Sequence, residues 1–202
     1  MSGAQRNSAA QIRRSLRAAR RQIPAPQRRA AAASAARALR QLRWLRPGTR
    51  IALYMATAEE FDCAPLLAAA AARGASILLP RLRPGRSAMA MQFVTAHGAM
   101  RRNRFGILEP RGGLACGARW LSLILLPLVA FDAAGTRLGM GAGYYDRALA
   151  FRLLRSRWRG PLLIGVAFAL QQSPALPRQP HDVALDGVIT ERGLQLFSRE
   201  GR

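Results

Sequence analysis

Lysine is absent from this chain. All 32 basic residues are arginine, set against 10 acidic residues, for a formal net charge of +22. A protein selected to bind nucleic acid usually mixes both cations, because lysine serves phosphate contacts well as a point charge. Complete replacement, beside so much alanine, is the mark of a compositional bias toward GC-rich codons. The charge still attracts anions, but no RRM, KH or zinc-knuckle pattern accompanies it. The 6% aromatic content offers no stacking platform, so no specific nucleic-acid partner is expected. Cysteine is scarce: Cys63 and Cys116 lie far apart without a CxxC pattern, and read as small apolar residues in a reducing compartment. His97 and His181 show no metal-ligand spacing. No apolar run approaches the roughly 20 residues of a membrane span. The Arg-rich N-terminus lacks the apolar core of a secretory signal. A cytoplasmic protein is expected.

What is present is a globular composition, half of it hydrophobic. Ile12, Leu16, Ala19 and Ile23 recur at helical spacing with arginines on the other faces, and Pro24 and Pro26 end that helix. A second, alanine-rich helix is predicted from Gln27 to Leu45, and a third over APLLAAAAARG, closed by Gly74. IALYM, ASILLPRL, MAMQFV, LSLILLPLVAFD and PLLIGVAFA read as strands, the fourth being nearly continuous in apolar residues. Residues 95–118 read mostly as loop, residues 146–158 as a helix, and ALDGVITERGLQLF as a strand followed by a helix. Alternating strands and helices predict an α/β fold: one domain over residues 1–202, a three-layer open, mainly parallel sheet with helices on both faces. The first eight and last five residues are expected to be flexible.

The strand-loop-helix around Arg137 to Asp146, RLGMGAGYYD, carries the chemistry. A buried strand delivers a glycine-rich loop to a helix start, where free N–H groups attract anions. Gly139, Gly141 and Gly143 alternate, so backbone can approach a ligand without Cβ obstruction. Arg137 adds a charge-assisted donor, and Asp146 a carboxylate suited to magnesium. Neither a P-loop nor a GxGxxG fingerprint is present. By glycine spacing alone, a tight turn packing the sheet and a phosphate loop remain open.

The whole string PLVAFDxxGxRLGxGxGYYDR is more specific and resembles the signature of the 5-formyltetrahydrofolate cyclo-ligase family, also called 5,10-methenyltetrahydrofolate synthetases. The resemblance covers residues 10 to 197. Arg13-Arg-Ser-Leu-Arg17 resembles the family's K-x-x-x-R, which contacts ATP phosphate, with arginine at the lysine position. IALYMATAEEFDCAPLL resembles a segment whose glutamate contacts folate. By position that is Glu60, with Glu59 the rival, and Met55 matches an apolar residue of the same pocket. FGILEP, Phe105 to Pro110, resembles a loop that shapes the pocket. In the C-terminal HDVALD, the resemblance implies magnesium at Asp182, with Asp186 as the alternative.

The resemblance therefore implies ATP- and magnesium-dependent cyclisation of 5-formyltetrahydrofolate. ATP is assigned to Arg13, Arg17, Arg137, Gly139, Met140, Gly141, Ala142, Gly143, Tyr144 and Tyr145, with Arg81 as a further phosphate contact. Folate is assigned to Met55, Glu60, Tyr144 and Tyr145, and magnesium to Asp146 and Asp182. No covalent nucleophile is expected. The partners are small molecules, and a monomer suffices. Two alternatives are carried: another α/β enzyme for phosphate ligands, such as a sugar-phosphate isomerase or CoA transferase, and a nucleic-acid-binding protein.

Overall fold

The computed structural model describes residues 3–42, 45–83, 91–154 and 160–198. The helices are α1 (Gly3–Arg21), α2 (Ala25–Arg40), α3 (Ala64–Ala72) and α4 (Tyr144–Leu149). The strands are β1 (Arg50–Ala52), β2 (Ser76–Leu82), β3 (Met91–Thr95), β4 (Met100–Arg102), β5 (Leu108–Pro110), β6 (Ala115–Cys116), β7 (Leu123–Pro127), β8 (Ala130–Phe131), β9 (Arg137–Leu138), β10 (Leu162–Val166), β11 (Gly187–Thr190) and β12 (Gly193–Leu196). Eight of these form one sheet in the order β12-β11-β10-β7-β1-β2-β3-β6. The five central strands are mutually parallel, while β12, β3 and β6 pair antiparallel at the edges.

The period-two alternation of a pleated strand sorts the apolar runs onto two faces. Ile51, Ile77, Leu79, Leu123, Leu125, Ile164 and Val166 pack on one face with Ala31, Ala32, Ala35, Ala36 and Leu39 of α2 and with Leu66, Ala69 and Ala70 of α3. Ala52, Leu78, Ile124, Leu126 and Leu163 face the other way and pack with Leu149, Leu121 and Phe197. Helices thus cover both faces of a mostly parallel sheet, as the sequence predicts. The alanines of α2 fall at spacings of three and four, which puts them on one narrow stripe against the sheet. Among the described residues no helix is long and apolar enough to cross a membrane.

Several boundaries differ from the sequence-based expectation. Residues 95–118 contain three short strands. The pairing of β4 with β5 and of β3 with β6 is non-local or very short, so no run of residues announces it. Residues 193–196 form strand β12, not a helix: Gly193 at φ 113° makes the tight turn that returns the chain antiparallel to β11. The helix expected over 146–158 is only six residues long, followed by a 3-10 turn at Ala150–Arg152. Residues 155–158 of that expectation, residues 43 and 44 of the expected second helix, and the extreme chain ends lie outside the described residues.

The segment that matters most is the hairpin β8–β9. Asp132, almost fully buried, accepts hydrogen bonds at Oδ1 from the N–H of Ala134 (3.0 Å) and Thr136 (2.8 Å), and at Oδ2 from the N–H of Leu176 (3.1 Å). One carboxylate therefore shapes the turn that presents Arg137 and anchors the segment leading to Asp182. Asp132→Ala removes the acceptor of the buried N–H groups of Thr136 and Leu176 and should cost about 4 kcal/mol, measured by urea denaturation. A loss below about 1 kcal/mol would mean that water replaces the carboxylate.

Candidate active site

A cavity of about 1000 Å³ opens where α1, the hairpin β8–β9, the start of α4 and the segment 177–182 meet. Phe105 and Ile107 of the β4–β5 turn close one side, and Pro127, Leu128 and Val129 form an apolar floor. Glu109 braces that turn: it is buried, pairs with Arg101 (2.9 Å) and accepts from the N–H of Leu82 (2.9 Å).

The glycine-rich loop is built to face a ligand. The carbonyl of Gly139 accepts from Arg13 Nε (2.8 Å), and that of Ala142 from Arg147 Nη2 (2.6 Å). The five consecutive amide N–H groups from Gly139 to Gly143 have no acceptor among the described residues. Gly141 and Gly143 have φ of 98° and 65°, where an L side chain is strained. The helix that follows is too short to contribute a large dipole, so the loop amides and the arginines carry the attraction for anions.

Arg137 arrives on β9, not on a loop, with its side chain only 5% exposed. It is ion-paired with Asp146 and lies 5.9 Å from the centre of the Tyr145 ring. Burial, and then the charge of Glu60, push the Tyr145 phenol up, so it stays protonated. Asp146 also accepts from the N–H of Val183 (3.4 Å), which links it to the neighbour of Asp182. Asp182 accepts from the N–H of Gln179 (2.7 Å) and lowers the cost of burying Arg13, whose guanidinium pKa is lowered mainly by desolvation.

On the opposite wall Glu59 holds Arg17 (2.8 Å) and Arg21 (2.7 Å), and these hydrogen bonds pull its carboxyl below the usual range. Glu60 accepts from the N–H of Thr57 (2.8 Å) through Oε2. Its Oε1 accepts nothing among the described residues. Glu60 is thus the more available of the two carboxylates.

Of the residues assigned from sequence to ATP, folate or magnesium, all line this cavity except Met55 and Arg81. Met55, three residues past the end of β1, is half-buried and packs against the main core. Arg81 lies outside the cavity and donates to the carbonyl of Arg111 (3.5 Å). Asp186 does not reach the cavity: it is buried, pairs with Arg152 (3.0 Å) and accepts from the N–H of Leu163 (2.8 Å), a structural brace. Among the described residues no three His, Cys, Asp or Glu cluster as metal ligands. Asp146 and Asp182 nonetheless suit magnesium, which takes one or two carboxylates and completes its shell with water and phosphate. Cys63, beside Tyr54, is buried with its thiol pushed up to about 12 by desolvation, and has no nucleophilic role.

Arg20 and Ala9 also line the cavity and were missed from sequence. The expected apolar face of α1 included Ala19, which is exposed, whereas Arg20 is buried. Arg13, Arg17 and Arg20 follow at i, i+4 and i+7, the spacing of one helix face, and that was the available signal.

Residues 5–191 match the family described as the 5-formyltetrahydrofolate cyclo-ligase family. The chain is 31% identical over 184 residues to a 5-formyltetrahydrofolate cyclo-ligase of Haemophilus influenzae, covering 89% of this chain and 95% of that one. It is 32% identical over 146 residues to a protein of the same name from Escherichia coli, covering 69% and 76%. Its fold is similar to the NMR structure of Aquifex aeolicus 5,10-methenyltetrahydrofolate synthetase, with a TM-score of 0.78, 27% identity, and coverage of 96% and 94%.

Gly141→Ala tests the backbone cradle. Forcing an L residue into φ 98° should cost the loop about 1–2 kcal/mol and weaken ATP binding about tenfold, read by calorimetry, with little change in melting temperature. An unaltered ATP Kd would remove the loop amides from phosphate binding.

Proposed function

Because the chain belongs to the 5-formyltetrahydrofolate cyclo-ligase family, we propose that its cavity binds ATP and 5-formyltetrahydrofolate together and joins N5 and N10 through a methenyl bridge, releasing ADP and phosphate. The observation that supports this most is the run of five unpaired amides beside Arg13 and Arg137, which suits a polyphosphate. The isomerase and transferase readings could also use a phosphate loop but need no ATP, so nucleotide binding separates them from this one. A monomer acting in the cytoplasm is part of the same proposal.

The chemistry asks for activation. A formamide oxygen is a poor leaving group, so it first takes the γ-phosphoryl group of ATP. N10 then attacks the activated carbon, its proton is lost, and phosphate leaves as the ring closes. No covalent bond to the protein is needed. The work is positioning and charge neutralisation, as in other phosphoryl transfers.

Arg13, Arg137 and the amides of residues 139–143 hold the phosphates. Arg17 joins them by leaving Glu59, an exchange favoured because Arg21 remains to pair with that carboxylate. Asp146 and Asp182 would hold magnesium, with Asp146 turning from Arg137 to the metal and freeing the guanidinium for phosphate. When bound, magnesium supplies neutralisation of charge on the phosphate oxygens. Glu60 accepts from the amino and ring N–H groups of the pterin. Phe105, stacked edge-on to Tyr144 at 6.1 Å, closes the folate side against water.

Purified protein with ATP, magnesium and 5-formyltetrahydrofolate should produce the near-ultraviolet absorbance of the methenyl product, and absence of product would defeat the proposal. Asp146→Asn should raise the magnesium concentration for half-maximal rate by about tenfold or more. An unchanged magnesium dependence would take Asp146 out of the metal role.

A further inference from the structure

Arg20 is the feature that the reading above leaves without a task. It is 2% exposed, yet it lines the cavity. Its one side-chain hydrogen bond among the described residues runs from Nη1 to the carbonyl of Leu128, at a long 3.4 Å. That oxygen already accepts from Gln171 Nε2 at 2.9 Å, so it does not need the arginine. The Nε of Arg20 has no hydrogen-bond partner among the described residues. Among the described residues the only buried side-chain atoms in that condition are the Nε atoms of Arg20 and Arg137, and both residues line the cavity. Buried polar groups in folded proteins are nearly always paired, so two orphans lining one cavity point to a ligand.

Glu60 and Glu59 offset part of the burial cost of Arg20 through space, but desolvation still outweighs them and neither bonds to it. Glu59 is occupied by Arg17 and Arg21, Glu60 Oε2 by the N–H of Thr57, and neither carboxylate forms a salt bridge with Arg20. Burying a cation without a bonded anion is costly unless something compensates in the working state. The position is also pre-set. Arg28 donates from Nη1 to the carbonyl of Arg20 (3.1 Å), and from Nη2 to the carbonyls of Glu60 (2.7 Å) and Ala58 (3.0 Å). One guanidinium thereby fixes the backbone that carries Arg20 relative to the backbone that carries Glu60. The cavity wall consequently presents a carboxylate with a free oxygen and a guanidinium with free N–H groups, held side by side.

We propose that Arg20 positions the substrate by donating to the 4-oxo group of its pterin ring, while Glu60 accepts from the adjacent N3–H and 2-amino groups. This inference rests on the folate reading of the cavity and extends it to a donor–acceptor pair that reads one edge of the ring. The 4-oxo group neighbours N5, so the contact orients the formyl-bearing nitrogen toward the phosphate loop. It also makes the site selective for 4-oxo over 4-amino pteridines. A 4-amino group presents donors to Arg20, and an unpaired buried donor on each side is penalised.

The test compares folic acid (4-oxo) with aminopterin (4-amino) for binding to wild type and to Arg20→Met, by calorimetry, with ATP binding measured in parallel. The substitution should shift the ratio of the two dissociation constants about tenfold toward the 4-amino ligand while leaving ATP affinity unchanged. A role confined to packing would weaken both pteridines alike, and an unchanged ratio overturns the inference. If Arg20→Met does not fold, Arg20→Gln reads the same ratio with the same two outcomes. Wild type that binds ATP but neither pteridine defeats the folate reading itself, and this inference with it. Wild type that binds both, with a ratio insensitive to residue 20, defeats only the role of Arg20.

Discussion

The buried carboxylate of Asp132 is the point on which the site depends. It accepts from two N–H groups within the β8–β9 turn and from Leu176 across the fold. The first two bonds set where Arg137 leaves the hairpin, and the third sets where the chain begins its approach to Asp182. Gln171 ties the same region to the sheet by donating to the carbonyls of Leu128 and Val129 (both 2.9 Å). A short hairpin of two-residue strands has little stability of its own. Here it is made rigid by side chains that satisfy its backbone, and that rigidity is what the proposed phosphoryl transfer would ask of the site.

The central sheet was legible because parallel strands buried on both faces must be apolar throughout, and residues 121–131 and 161–169 show it directly. The glycine loop was legible because its whole string, more than its glycine spacing, is distinctive. The edges were not legible. Strands β4, β5 and β6 are two or three residues long, too short for any local period to mark them. Strand β12 resembled a helix start until Gly193 supplied a turn that only a positive φ permits. Arg20 escaped notice for a different reason. In a chain saturated with arginine, the default place for one more is the solvent, and only the i+7 relation to Arg13 set it apart. Met55 is the reverse case: an apolar residue just past a strand is as suited to the core as to a pocket, and here it packs against the core.

Scarcity of acidic residues gives the site its electrostatic character. With 10 carboxylates among 32 arginines, each acid has several candidate partners. Those at the periphery are spent on structure: Glu109 with Arg101, and Asp186 with Arg152. Those at the cavity, Glu59 with Arg17 and Asp146 with Arg137, pair residues that the proposed reaction needs separately. Such pairs keep the guanidinium groups ordered while no phosphate is present, and they can be exchanged when a polyanion of higher charge arrives.

The exchange has a direction that follows from geometry. Glu59 has two arginines, so releasing Arg17 leaves its charge neutralised by Arg21. Asp146 has one, so releasing Arg137 would strand a half-buried carboxylate unless a cation replaces it. A divalent metal would meet that need, so in the proposed reaction metal binding and the transfer of Arg137 to phosphate would be coupled. On the proposed reading, nucleotide without metal would reach Arg13 and Arg17 but would compete with Asp146 for Arg137. The carboxylate proposed to hold the metal would thereby make full engagement of the phosphates conditional on the metal.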